Sequence, residues 1–271
     1  MAVRTQALLL RSVAFGESDL VVHLLTPATG RVTAIAKGAR RSSRRFPGTL
    51  DFFNELRVEL EPSRRPGAMA RLELARLVRV FAALRVDPVR FALASYLLEL
   101  LDRLAPEGGA IRDRAALFGF ALEALKVLET RAPDLALRAL LELRALAALG
   151  LCPELACCVR CRGPLDAPGP VSFHVADGGP LCAGCEASHD GALSVHRGTL
   201  RTLEQALHFD LGHLSRLGLS AEGQQEAHRL VQRFRRFHAC GELRSERFLD
   251  TVLGLPPGSP RDPQRDSPRR A

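Results

Sequence analysis

The chain has 271 residues, 46% of them hydrophobic, with mean hydropathy near zero, so it carries enough apolar surface for a substantial core. No run is apolar enough to cross a bilayer, and the N-terminus MAVRTQALLLRSVAF lacks the long uncharged stretch of a signal peptide, which argues against a membrane protein and for a cytoplasmic one. Net charge is +8, yet residues 1–80 hold 14 Lys and Arg against 7 Asp and Glu and leave only +1 for the rest; a field this one-sided steers polyanions, nucleic acid first, an acidic protein tail or an anionic membrane surface after it.

From Val3 to about Val80 the punctuation is that of short strands: VRTQALLLRSV, DLVVHLLT, RVTAIAK, FFNELRVEL and MARLELARLV, with turns at PATG and EPSRRPGA. In the fourth, Leu56, Val58 and Leu60 alternate with Arg57, Glu59 and Glu61, which predicts one buried and one wet face. In the third, Val32, Ala34 and Ala36 share a face, with Arg31 and Lys37 on the other. Gly38 then permits a backbone conformation closed to other residues, and Arg40, Arg41, Arg44 and Arg45 follow with only small residues between them. Nothing apolar is available to bury these guanidinium groups, so the stretch reads as a phosphate-binding hairpin whose contacts are Arg31, Lys37, Arg40, Arg41, Arg44 and Arg45. The alternative is a solvated charge run. Five short strands with basic connections suit a small closed barrel of the oligonucleotide-binding type, a three-stranded sheet being the alternative. Its aromatic residues are Phe15, Phe46, Phe52 and Phe53, without Trp, so affinity should lean on charge more than on base stacking.

The segment GESDLVVHLLTPATGRVTAIAKGARRSSRRFPGTL resembles the opening of the bacterial RecO family of DNA repair and recombination mediators. The features that carry it are Gly16-Glu17-Ser18-Asp19, the Leu-Thr-Pro before a Gly-Arg turn, and Ala36-Lys37-Gly38 with basic residues following. YLLELLDRL at Tyr96–Leu104 and LRSERFL near the C-terminus resemble the same family. The resemblance implies an N-terminal oligonucleotide-binding fold, a central helical domain and, in many members, a cysteine zinc site. It also implies binding of single- and double-stranded DNA at the nucleoid, annealing of complementary strands, contact with the acidic tail of single-stranded DNA-binding protein, and action with RecR, sometimes RecF, in loading RecA.

Composition shifts at Asp87-Pro88, where an aspartate cap and a first-turn proline predict a helix to Ala105, ended by Pro106 and Gly108-Gly109. Further helices are predicted from about Asp113 to Glu129 and from about Pro133 to Leu149, together a bundle. After residue 190 a helix beginning at Thr199 and a longer one capped by Ser220 follow, the latter burying Ala227, Leu230, Val231, Phe234 and Phe237 or His238. Its other face shows Arg229, Arg233 and Arg236, read as solvated. From Pro256 the sequence has no core former and reads as a disordered tail.

Cys158 and Cys161 are separated by two residues, as are Cys182 and Cys185, with 20 residues between the pairs. Each C-x2-C turn brings two thiolates to one point, and two such turns complete a tetrahedral sulfur shell for zinc. A closed four-thiolate shell leaves no position for water, so the zinc is expected to be structural, tying down an insertion with little core of its own. Cys157 is an alternative to Cys158; Cys152 and Cys240 read as small buried residues. His174, His189 and His196 read as loop histidines. The predicted fold class is thus α+β and multidomain: an OB-like barrel over residues 1–80, a helical domain over 81–250 with a four-cysteine zinc insertion at 152–190, and a tail over 251–271.

The function expected is a non-catalytic DNA-binding mediator. A zinc-dependent nucleotide hydrolase or deaminase is the rival class, but His174 is followed by Val175 and Ala176 rather than x-Glu, and Leu181 separates Pro180 from Cys182. No Walker loop occurs. A structural zinc-ribbon scaffold would keep the cysteines but has no need of the basic loop.

Overall fold

The computed structural model describes residues 2–63, 68–107, 113–166, 169–186 and 192–255. The predicted tail from Pro256, residues 64–67 of the EPSRRPGA turn, Gly108-Gly109 and His189 lie outside the described residues.

Five strands form where the short apolar runs and turn signals place them: β1 (Val3–Phe15), β2 (Asp19–Thr26), β3 (Gly30–Ala36), β4 (Asn54–Glu61) and β5 (Ala70–Val80). They close into a barrel in the order β1-β2-β3-β5-β4, the antiparallel β1–β4 pair sealing one seam and a short parallel β3–β5 pair the other. This is the strand order of an oligonucleotide-binding barrel. Ala7, Leu9, Val22, Leu24, Ala34, Leu56, Val58 and Leu72 fill its interior.

The other face of β1 is buried too. Leu8 and Leu10, with Leu25, Phe53 and Phe81, belong to the helical core. That double burial explains why β1 contains a continuous Ala-Leu-Leu-Leu run rather than strict alternation.

Beyond the barrel come a one-turn α1 (Ala83–Val86), which local pattern did not predict, then α2 (Pro88–Leu104), α3 (Arg114–Thr130) and α4 (Leu135–Ala148). Each long helix starts on an aspartate: Asp87 accepts from the Val89 and Arg90 amides at 2.9 Å, Asp113 from Ala116 at 2.8 Å and Asp134 from Leu137 at 2.7 Å. Such caps contribute about 1 kcal/mol each.

The insertion is built of β6 (Pro170–His174), β7 (Gly179–Leu181), the single turn α5 (Ala183–Glu186) and β8 (Leu193–His196), the strands ordered β7-β6-β8. β8 carries this sheet past residue 190. The helices resume with α6 (Arg197–His208), a 3-10 turn at Leu211–Arg216, α7 (Ala221–His238) and α8 (Glu246–Val252). Ser220 caps α7 by accepting from the Gly223 amide at 3.1 Å.

Two packing expectations need correction. The insertion does have a core: Val171, Phe173, Leu181 and Val195 are buried in the same cluster as the helices. Cys152 is exposed and Cys240 half-buried, because both sit in connections just past helix ends rather than on an inward stripe. At the end of α7, His238 is the residue turned inward, its Nε2 donating to the Val175 carbonyl at 2.6 Å, while Phe237 is exposed.

Candidate nucleic-acid interface and metal centre

The basic loop leaves β3 at Lys37 and is folded against the β1–β2 turn. Gly38 adopts φ 65°, and its amide donates to Asp19 Oδ1 at 2.7 Å. The Arg40 amide donates to the Ser18 carbonyl at 3.0 Å, and its guanidinium to the Glu17 carbonyl at 3.2 Å. The Gly-Glu-Ser-Asp and Ala-Lys-Gly stretches, far apart in sequence, are therefore the two sides of one contact. Further along, the Ala75 amide of β5 donates to the Arg45 carbonyl at 3.1 Å, and Phe46 inserts into the barrel core.

Held this way, Lys37, Arg40, Arg41 and Arg44 are exposed. Arg45 is turned partly inward, its guanidinium reaching the Lys37 carbonyl, lying 5.2 Å from the Phe46 ring centroid and 3.9 Å from Glu73. Arg41 has a long, solvent-screened pair with Glu17 at 3.8 Å. Arg40 and Arg41 rim a depression of about 510 Å³ whose floor includes Leu20, Ala39, Phe46 and Leu50. Ser42, Ser43 and Asp51 also line it, so the depression is cationic on the side of Arg40 and Arg41 and acidic at Asp51.

Arg31 is placed elsewhere. Its side chain points into the barrel–helix junction, donating from Nε to the Ala105 carbonyl at 2.9 Å and lying 3.6 Å from Asp102 and 3.7 Å from Glu107. Beside it, His23 Nδ1 meets Asp102 at 2.5 Å, and the Thr33 amide donates to Glu107 at 3.0 Å. Arg31 thus caps the end of α2 across the junction. Sequence reasoning had no access to this, because the pairing spans 74 residues.

The structure brings Cys158, Cys161, Cys182 and Cys185 together, their sulfur atoms all within 4.8 Å of one another and Cys161 and Cys182 at 3.5 Å. A tetrahedral zinc with sulfur at about 2.3 Å sets its ligands roughly 3.8 Å apart, so the donor set fits. Cys157 is outside the group and hydrogen-bonds Glu154. Burial raises the Cys158 thiol, but the amides of Cys161, Cys182 and Arg160 outweigh it and bring the group down to about 6. Hydrogen bonds with Cys182 and Cys161 push Cys185 the other way, up to about 12. Four sulfurs this close cannot all ionise without a cation between them. The turns that hold them need space for backbone: a Cβ on Gly179 would lie 2.9 Å from the Cβ atoms of both Glu154 and Val159.

Comparison with known proteins follows the same two-part division. The family model for the N-terminal part of recombination protein O matches residues 1–81, and that for its C-terminal part matches residues 85–247. A DNA repair protein RecO of Anaeromyxobacter dehalogenans (strain 2CP-C) is 37% identical over 253 residues, covering 92% of this chain and 96% of its own length. The DNA repair protein RecO of Symbiobacterium thermophilum is 34% identical over 241 residues, with 88% and 92% covered. That of Pelotomaculum thermopropionicum is 30% identical over 256 residues, with 94% and 96% covered.

Proposed function

This chain belongs to the RecO family of DNA repair proteins, and from that premise we propose that it is a recombination mediator that holds DNA on the basic loop of its barrel. The family is one of mediators, not of enzymes. The observation that carries the reading is the loop itself: Lys37, Arg40, Arg41 and Arg44 are exposed on a backbone fixed by Asp19 and Ser18, so four cations are presented without a core to occupy them. Arg45, half-buried beside Lys37 and Phe46, adds its charge from behind them. Such contacts engage phosphates of single- and double-stranded DNA alike, positioning a strand without reading its bases.

Annealing of complementary strands, action with RecR and in some settings RecF, contact with the acidic tail of single-stranded DNA-binding protein, and assistance to RecA loading belong to this reading as the roles a family member would take. The four cysteines can hold a metal ion, and we assign it as structural zinc on the strength of the all-sulfur donor set.

The test is salt-titrated binding of a labelled single strand, with nucleotide turnover followed alongside. Replacing Arg40, Arg41, Arg44 and Arg45 with Ala should lower the slope of log affinity against log salt by up to roughly 3, at about 0.7 per phosphate contact. Turnover should be absent from both proteins. An unchanged slope and affinity in a normally melting variant would remove the loop from the reading.

A further inference from the structure

Arg57 of β4 and Arg76 of β5 stand directly opposite each other in the antiparallel register. Both are exposed on the outer face of the barrel, between inward-facing neighbours Leu56, Val58 and Ala75. On the other flank, Arg57 is in register with the exposed Gln6 of β1, which gives a row across three strands. Like charges directly opposite on one sheet face repel and destabilise the pair.

Among the described residues nothing relieves that repulsion. Arg57 has no hydrogen-bond or ion-pair partner among the described residues. Among the described residues Arg76 reaches only the Arg44 carbonyl, at 3.5 Å. The nearby carboxylates are engaged: Glu59 with Arg4 at 2.7 Å, and Glu73 with Arg71 at 2.5 Å. Glu55, the other outer-face neighbour along β4, is itself buried. The Arg76 contact also places this row immediately beside the basic loop.

We propose that Arg57 and Arg76 extend the phosphate track of the basic loop across the outer face of β4 and β5, so that a polynucleotide backbone leaves the loop at Arg44 and crosses the strands toward Gln6. An anion between the two guanidinium groups turns a repulsive pair into two charge-assisted contacts. The charge complementarity specifies the occupant: a chain of regularly spaced phosphates satisfies loop and strand cations in sequence. This inference rests on the loop reading above.

The experiment measures the salt dependence of binding of a labelled deoxythymidylate strand to the full chain. Arg57→Gln/Arg76→Gln should reduce the slope by about 1.4, for two contacts at about 0.7 each, which corresponds to about tenfold weaker binding near 0.2 M salt. Its thermal midpoint should equal or exceed wild type, since a repulsive pair is removed. Arg57→Lys/Arg76→Lys keeps both charges and should keep most of the slope. If the double Gln variant does not fold, Arg57→Gln alone changes one exposed side chain and should give half the effect. An unchanged slope in the Gln variants, with the loop quadruple variant still impaired, overturns the sheet crossing and leaves the loop reading standing. If neither set alters the slope, the loop reading fails and this inference fails with it.

Discussion

Arg235 donates from Nε to Glu142 at 2.7 Å, and neither side chain has any solvent exposure. The same guanidinium donates to Glu246 at 2.8 Å and to the Gly241 carbonyl at 2.7 Å, so it ties α7 to α4, to the turn after α7 and to α8. Arg138 adds Asp250 at 2.5 Å, and the Tyr96 ring of α2 lies 5.3 and 5.8 Å from the two guanidinium carbons. The ionic cluster is therefore the common point of four helices.

Removing Arg235 leaves the fully buried Glu142 carboxylate without its guanidinium partner and takes one of several cationic partners from Glu246. Arg235→Met should cost about 3–5 kcal/mol in denaturant unfolding, whereas Arg233→Ala, on the exposed face of the same helix, should change stability by no more than about 0.5 kcal/mol. Equal effects from the two would mean that the buried pairs carry no special share of the stability.

How much of this was legible in sequence depends on the range of the interaction. Short apolar runs between turn signals located all five strands, and the Asp87 cap together with apolar repeats at three and four located the three central helices, because these signals are local. The C-x2-C spacing picked out four sulfurs that meet in space. Register is not local: Arg57 and Arg76 look like ordinary wet-face residues until β4 and β5 are paired. Arg138 and Arg235 fall on apolar stripes, and a stripe that contains Arg is the one signal that would have flagged the buried cluster. The short β6 and β8 were hidden because four- and five-residue strands in a Gly- and Pro-rich stretch give too little period to count.

Two histidines give stability a maximum with pH. Burial, together with Arg138, Arg235 and Arg236, pushes His228 down to about 3. The unfolded chain then takes up a proton below about 6.5 that the folded chain refuses, so stability falls as pH drops from there toward 3, by at most about 1.4 kcal/mol per unit. His196 has the opposite sign. Its 2.6 Å contact with Glu226 raises it, so its contribution is complete below about 6.5 and is lost as pH rises through the raised value. Melting temperatures across pH should peak near 6.5. His228→Gln should flatten the acid side and His196→Gln the alkaline side; curves unmoved by both substitutions would reject the assignment.

Purified protein should carry one zinc, and Cys182→Ser should lose it. Because Leu181 and Phe173 of the insertion are packed in the helical core, the loss should lower the melting temperature of the helical domain and not only loosen a peripheral knuckle. The loop lies on the barrel, so strand binding by the folded fraction should remain. Metal analysis and binding on the same preparation check both. Zinc retained in the variant would mean that the ligand set is different.

Arg31 separates the two cationic roles of β3. It sits one residue into the strand that ends in the basic loop, yet its side chain is occupied by the Ala105 carbonyl, Asp102 and Glu107 at the domain junction. Hydrogen bonds involving a charged group contribute about 1.5–3 kcal/mol, and removing the guanidinium also leaves the end of α2 uncapped and Asp102 with only His23. Arg31→Ala should therefore lower stability by an amount in that range. Salt-titrated strand binding at a temperature where the variant is folded should keep its slope, because no phosphate contact is removed. The loop variant should behave in the reverse way, with a near-normal melt and a reduced slope. A slope lower by about 0.7 in Arg31→Ala, with stability unaffected, would move Arg31 back among the phosphate contacts and show that the junction opens when DNA binds.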